Sequence, residues 1–266
     1  MRAALAGLVK IHPTAIVDPG AQLHESVEVG AYSVIHAGVT VGAGTKIHSH
    51  VVLDGPMTLG RDNTIFPFAS VGAVSQDKTA KYDEATRVEI GNGNTIREYV
   101  TINRGTLKEQ GVTRIGDGNW LMACAHIAHD CVVGNHTILA NNVLLAGHVT
   151  IDDHVILGGA TGVHQFCRVG QGAFSGGGSI ILGAVPPFVM VQGNPAEPRA
   201  INSEGLKRRG FSADDIGAIK DAYKVIYLSG KPMAEIKAEL AALAKGSAHV
   251  AEMLEFIETA KRPLAR

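Results

Sequence analysis

Aliphatic side chains recur every six positions from Ile11 onward: Ile11, Val17, Leu23, Val29, Ile35, Val41, Ile47, Leu53, Leu59, Ile65 and Val71 all stand on one ruler. It slips after Val71, resumes at Ile90, Ile96 and Ile102, and slips again. From Ile115 it runs through Leu121, Ile127, Val133, Leu139, Leu145, Ile151, Leu157 and Val163 to Val169; Ser175 interrupts it and Ile181 restores it. A helix repeats at about 3.6 residues and a flat strand at about 2, so neither produces this period. Three short strands per turn do. With each hexad as one face of a triangular prism, the aliphatic mark fills the interior, and a second, mostly small site four residues later lies beneath the neighbouring coil. Glycine follows many marks (Gly30, Gly42, Gly60, Gly72, Gly91, Gly116, Gly134, Gly158, Gly170), which fits corners of unusual φ. Around nine coils at ~4.8 Å spacing give a prism about 40 Å tall.

The two slips mark polar excursions, near 76–89 and 104–114. Insertions in a solenoid become surface loops, and such loops often border a binding face. After Gly193-Asn194-Pro195 the ruler ends, so the sequence divides into a prism over 1–195 and a helical domain over 196–266. Asn202 or Ser203 caps a short helix through LKRR; Ser212 with Asp215 opens a longer one that ends at Gly230. Stretches 232–245 and 248–261 carry apolar residues at helical spacing. This domain is placed to cap the open end of the prism.

Composition narrows the partners. Lys plus Arg number 24 against 25 Asp plus Glu, a net charge of -1, so no global field draws the chain to nucleic acid or to an anionic membrane. The three cysteines form no CxxC pair, and an odd number suits a reducing compartment. The N-terminal MRAALAGLVK faintly imitates a signal peptide, but Lys10 cuts the apolar stretch short. The apolar segment 176–193 is broken by Pro186-Pro187 and by glycines, unlike a spanning helix. A soluble, cytoplasmic protein with no transmembrane segment is expected.

Candidate chemistry rests on histidine, of which there are 12. His129 is third in the hexad at Ile127, His148 fourth in the hexad at Leu145, and His164 second in the hexad at Val163; these hexads start 18 residues apart. The three imidazoles are therefore expected on one side of the prism in successive coils, with Asp130 and Gln165 beside them. Stacked histidines serve either as metal ligands or as acid/base groups. His126 and His129 form an HxxH pair, a weak metal signal away from a helix.

The ruler is similar to that of the hexapeptide-repeat acyltransferases, which fold as left-handed parallel β-helices. Within them the chain resembles the acyl-carrier-protein-dependent UDP-N-acetylglucosamine O-acyltransferases that begin lipid A synthesis. The matching stretches are SQD at 75–77, TRVEIG at 86–91, REYVTINRGT at 97–106, AHIAHDCVVGN at 125–135, ILANNVLLAGHV at 138–149, VHQFCRVG at 163–170, VPPFVMVQGN at 185–194 and NSEGLKRRGF at 202–211.

The resemblance implies a mainly β fold with a C-terminal helical domain, a homotrimer with sites between neighbouring prisms, an acyl carrier protein as 3-hydroxyacyl donor, a UDP-sugar as acceptor, and neither metal nor cofactor. By it, His129 is the general base, Asp130 orients it, and the Gly147 N–H stabilises the oxyanion. Asp77, His126, His148, His164, Gln165, Asn202, Glu204, Arg208 and Arg209 would hold substrate or donor. Gly177 aligns with the acyl-chain ruler and implies a long chain. The first loop is about one residue longer than the family pattern and lacks its Gly-Glu-Pro stretch, so the family's loop lysine is Lys78 or, as the better match, Lys81. Three alternatives accompany this reading: N-acylation of a 3-amino UDP-sugar, a zinc enzyme like the carbonic anhydrases built on the same prism, and a non-catalytic prism serving as a binding scaffold.

Overall fold

The computed structural model describes residues 10–266; the N-terminal apolar stretch through residue 9 lies outside the described residues. The chain winds as a left-handed parallel β-helix with three faces. Each strand is mostly two or three residues long and pairs in register with a strand one coil on, as Ile127 does with Leu145 and Leu145 with Val163. The first face carries the marks Ile47, Ile65, Ile96, Leu121, Leu139 and Leu157, the second Leu53, Val71, Ile102, Ile127, Leu145 and Val163, and the third Leu59, Ile90, Ile115, Val133, Ile151 and Val169.

The marks from Val29 to Val169 are all buried, and so are Ser175 and Ile181. Ile11, in the first described coil, is 40% exposed. The second site also points inward, and where it is polar it holds coils together. Asn63 Oδ1 accepts from Asn94 N at 2.8 Å, Asn94 Oδ1 from Asn119 N at 2.8 Å, and Asn119 Oδ1 from Thr137 N at 2.8 Å. Each buried amide is thereby paired rather than left at a desolvation cost of roughly 1–3 kcal/mol.

The corners correct one expectation. Unusual φ does not fall on the glycine after the mark, apart from Gly72, but on the residue three after it: Tyr32, His50, Phe68, Tyr99, Asp130, His136, His148, His154 and Phe166 all have φ between 55° and 65°. The glycine after the mark is needed for space instead. A Cβ on Gly30 would sit 2.6 Å from the His48 carbonyl carbon, and one on Gly42 2.7 Å from that of Gly60. Left-handed corner residues direct their side chains outward along the prism edges, where successive coils stack them.

The two excursions are shorter than expected. Strand Arg87–Ile90 pairs with Val112–Ile115 over its whole length, so the chain leaves the faces only over 74–86 and 104–111. At the far end, strand Glu197–Ile201 pairs antiparallel with Val189–Gln192, carrying sheet structure past residue 195 before the helices begin. Helix α1 (Ser203–Arg208) is capped by Asn202, and α2 (Ala213–Tyr227) opens with the Ser212–Asp215 capping box. With α3 (Met233–Ala244) and α4 (Ala248–Thr259) they bury Ile219, Ile226, Leu240, Val250 and Met253. Phe188 closes the prism and meets Phe211 and His249 of the cap at 5.8 and 5.7 Å between ring centroids. Among the described residues no helix is long and apolar enough to cross a membrane.

Candidate functional site

Of the residues singled out in the sequence, the edge between the second and third faces gathers His129, Asp130, Gly147 and His148. Side chains of adjacent residues in a strand point apart. Asp130, however, occupies a left-handed corner with φ 57°, and this turns its carboxylate back beside the preceding imidazole. Its Oδ2 accepts from His129 Nδ1 at 2.9 Å, which leaves Nε2 as the ring's remaining nitrogen. Gly147 packs against that ring: a Cβ there would lie 2.5 Å from His129 Cε1 and 2.7 Å from Nε2. His148 meets His129 edge-on at 5.0 Å, with its Nδ1 buried, unpartnered, and 4.0 Å from Asp130 Oδ2.

Asp130 is the most heavily bonded group here. Thr106, from the second excursion, donates its N–H to Oδ1 at 3.0 Å and its hydroxyl to Oδ2 at 2.6 Å. Burial pushes the Asp130 carboxyl up, but the hydrogen bonds from His129 and Thr106 and the His148 charge outweigh it and hold it below the ordinary value. Burial pulls His148 down, only partly opposed by the Asp130 charge, so this imidazole is held towards its neutral form. His126 is pulled down by burial and then by the His129 charge; its Nδ1 lies 2.7 Å from Thr101 Oγ1.

His129, Asp130 and His148 each bring a ligand atom within 4.8 Å of the others, a spacing a transition-metal ion can bridge. The Asp130 oxygens, however, already accept from Thr106 N, Thr106 Oγ1 and His129 Nδ1. The Asp130 carboxylate is thus already engaged as the acceptor of a hydrogen-bonded pair with His129.

The expected histidine stack is corrected at its third member. Phe166, not His164, lies on His148, with rings parallel within 9° and centroids 4.4 Å apart. His148 and Phe166 both stand three residues after a mark, whereas His164 stands one after, before the chain turns. His164 and Gln165 are exposed on the same edge, joined by a 3.2 Å contact from His164 Nδ1 to the Gln165 carbonyl. The phase of Phe166 was readable from the ruler.

Asp77 is tied to the second excursion by Lys108, a residue no sequence pattern singled out. That lysine foremost, and then the N–H and hydroxyl of Thr79, hold the Asp77 carboxyl well below the usual range. Lys81 and Lys78 are both exposed on the first excursion.

The remaining candidates lie on the other two edges. Gly177 is exposed at the edge between the first and second faces. Near the edge between the third and first faces, Asn202 caps α1 by accepting from Gly205 N at 3.1 Å and donates Nδ2 to the Gly172 carbonyl at 3.0 Å. Glu204 pairs with Lys207 in solvent, Arg208 is exposed, and Arg209 is half-buried over the Phe211 ring at 5.1 Å.

Residues 185–265 match the family model described as "Udp N-acetylglucosamine O-acyltransferase; Domain 2", and residues 9–43, 20–55 and 113–147 match "Bacterial transferase hexapeptide (six repeats)". The chain is 53% identical, over 97% of its own length and 100% of the relative's, to an acyl-[acyl-carrier-protein]–UDP-N-acetylglucosamine O-acyltransferase of Thiobacillus denitrificans. It is 56% identical, over 96% and 99%, to a protein of the same name from Herminiimonas arsenicoxydans. Among solved structures, that of LpxA from Acinetobacter baumannii superposes with a TM-score of 0.94 at 45% identity, covering 97% of this chain and 100% of that one.

Proposed function

The chain belongs to the UDP-N-acetylglucosamine O-acyltransferase family, and from that premise we propose that the His129–Asp130 pair is the general-base machinery of its acyl transfer. The protein is an enzyme that transfers an acyl chain from acyl carrier protein to UDP-N-acetylglucosamine, the first step of lipid A biosynthesis. The observation that carries the mechanism is the 2.9 Å bond between His129 Nδ1 and Asp130 Oδ2.

A sugar hydroxyl is a poor nucleophile until its proton is taken. With Nδ1–H donated to Asp130, His129 presents the Nε2 lone pair to the 3-hydroxyl of the glucosamine. The oxygen attacks the 3-hydroxyacyl thioester carbon as Nε2 takes the proton, and Asp130 stabilises the imidazolium. Collapse expels the carrier thiolate, which recovers the proton from His129. Gly147 packs against the ring, and its N–H is the donor assigned to the oxyanion. Glycine is required there because a side chain would occupy the space of Nε2.

The candidates for holding substrate occupy all three edges of one prism, and no single edge assembles them. His126, His148, His164 and Gln165 flank the base, whereas Asn202, Glu204, Arg208, Arg209 and Gly177 face elsewhere. A homotrimer that sets one prism's edge against another's unites them, with Arg208 and Arg209 available to phosphates or to an acidic carrier, and Asp77 and Lys81 on the bordering loop. Exposed Gly177 leaves room along the prism for a long acyl chain.

The test is product formation by metal-stripped protein supplied with UDP-N-acetylglucosamine or its 3-amino analogue and with carrier proteins loaded with graded 3-hydroxyacyl chains. O-acylated product without added metal supports the reading. Acylation of the amine alone, or activity only on adding zinc, overturns it.

A further inference from the structure

The catalytic carboxylate is not positioned by the prism alone. We infer that Thr106 is a positioning residue for the His129–Asp130 pair, holding the Asp130 carboxylate in the orientation from which it accepts the His129 Nδ1 proton. This rests on the reading of His129 as general base.

Thr106 belongs to the segment that leaves the prism over 104–111, yet it is only 2% exposed. Its hydroxyl reaches Oδ2 at 2.6 Å and its N–H reaches both carboxylate oxygens, at 3.0 and 3.1 Å. The segment is fixed on both sides. Two residues earlier, buried Arg104 donates to the Gly55 carbonyl at 2.7 Å and to the Tyr82 carbonyl. Two residues later, Lys108 pairs with Asp77. Thr106 is therefore a rigid donor aimed at Asp130 from outside the coil that carries it.

Competition makes that donor necessary. Asp130 also lines a cavity of about 190 Å³ shared with Arg114 and Lys261, and His148 Nδ1 lies 4.0 Å from Oδ2. Arg114 is already held by Glu89 and Gln110, which leaves Lys261 and His148 as the alternative partners for the carboxylate. The Thr106 hydroxyl binds the same oxygen that accepts from His129, so it stops Oδ2 from rotating towards those groups. With Oδ2 fixed, the neutral imidazole keeps its proton on Nδ1 and its lone pair on Nε2.

Thr106→Val removes the hydroxyl at nearly constant volume, and Thr106→Ser retains it. The expected result for the valine variant is a kcat reduced about 10- to 100-fold, with KM for UDP-N-acetylglucosamine within about twofold of the parent. The serine variant should recover most of the loss. ¹⁵N spectra of histidine-labelled protein, with the His129 signals identified by their disappearance in His129→Ala, should show the Nδ1–H tautomer in the parent and in Thr106→Ser. Thr106→Val should shift towards Nε2–H; Thr106→Ala gives the same readout should the valine variant not fold. Parent kcat and an unchanged tautomer in Thr106→Val would overturn the inference, as would a serine variant as impaired as the valine one. Unchanged turnover in His129→Ala would instead remove the base reading, an outcome distinct from any tautomer result at Thr106.

Discussion

Two columns of histidine run up this prism, and only one has the makings of a catalytic site. On the edge between the second and third faces stand His129 and His148; on the next edge stand His136 and His154, with centroids 5.2 Å apart and rings within 15° of parallel. Three of the four share one corner geometry: His136, His148 and His154 have φ between 55° and 63°, whereas in His129's coil that corner is taken by Asp130. The difference lies in the carboxylates. Beside the second column, Asp153 Oδ1 accepts from Asn135 N at 2.7 Å and Asp117 Oδ1 from Asn92 N at 2.6 Å, so both acids secure the backbone of a neighbouring coil. Beside the first, Asp130 itself occupies the left-handed corner, faces an imidazole, and is steadied by a loop from outside the repeat. Stacked histidines are what an 18-residue coil produces; a base needs a carboxylate released from the repeat's own bonding.

Removing that carboxylate's charge should erase the contrast most deeply. Asp130→Asn is expected to lower kcat by about 10²- to 10⁴-fold at near-parental KM, since the amide cannot stabilise the imidazolium; steady-state kinetics with loaded carrier protein reads it. Crowding the ring should cost less. Gly147→Ala places a methyl 2.5 Å from His129 Cε1 and must displace the imidazole, which should reduce kcat about tenfold or more, measurable alongside a melting temperature that reports folding.

Changes in the second column should leave chemistry nearly untouched. His154→Ala is expected to hold turnover within about twofold while lowering thermal stability slightly, because the stacking it removes, against His136, lies on a different edge from the His129–Asp130 pair. The smallest effect lies where α4 meets the prism. Burial foremost, and then the Asp152 charge, raise the Glu252 carboxyl from 4.5 to about 7, with Arg209 and Arg168 only partly opposing. A raised folded-state value means the folded protein holds this proton more tightly than the unfolded chain does. The associated stability is full below the ordinary value and is lost as pH climbs through about 7. Glu252→Gln should therefore raise the melting temperature at pH ~8 by about 2–4 °C, discounted for solvent screening, and change it little at pH ~4.

Much of this was legible in the sequence because the prism is a one-dimensional pattern. The six-residue ruler located its interior, and the Ser212–Asp215 box and Gly230 bracketed the longest helix. What escaped was whatever departs from the repeat. The alternation of side chains along a strand separates His129 from Asp130, and only the positive φ at Asp130 reunites them. Phe166 replaced His164 because the corner turns between their positions. Strand Glu197–Ile201 was missed since it carries no hexad and includes Pro198, its pairing being set by an antiparallel neighbour. Thr106 and Lys108 sit on an excursion whose contacts span 24 and 31 residues, beyond any local spacing.

The central claim is that His129, and not merely a histidine in a stacked column, takes the proton. It is tested most directly by measuring turnover of His129→Ala and His136→Ala side by side, with UDP-N-acetylglucosamine and 3-hydroxyacyl carrier protein, on samples of equal oligomeric state. The account predicts a loss of about 10²-fold or more in the first and near-parental turnover in the second. Equal turnover in the two variants would contradict it.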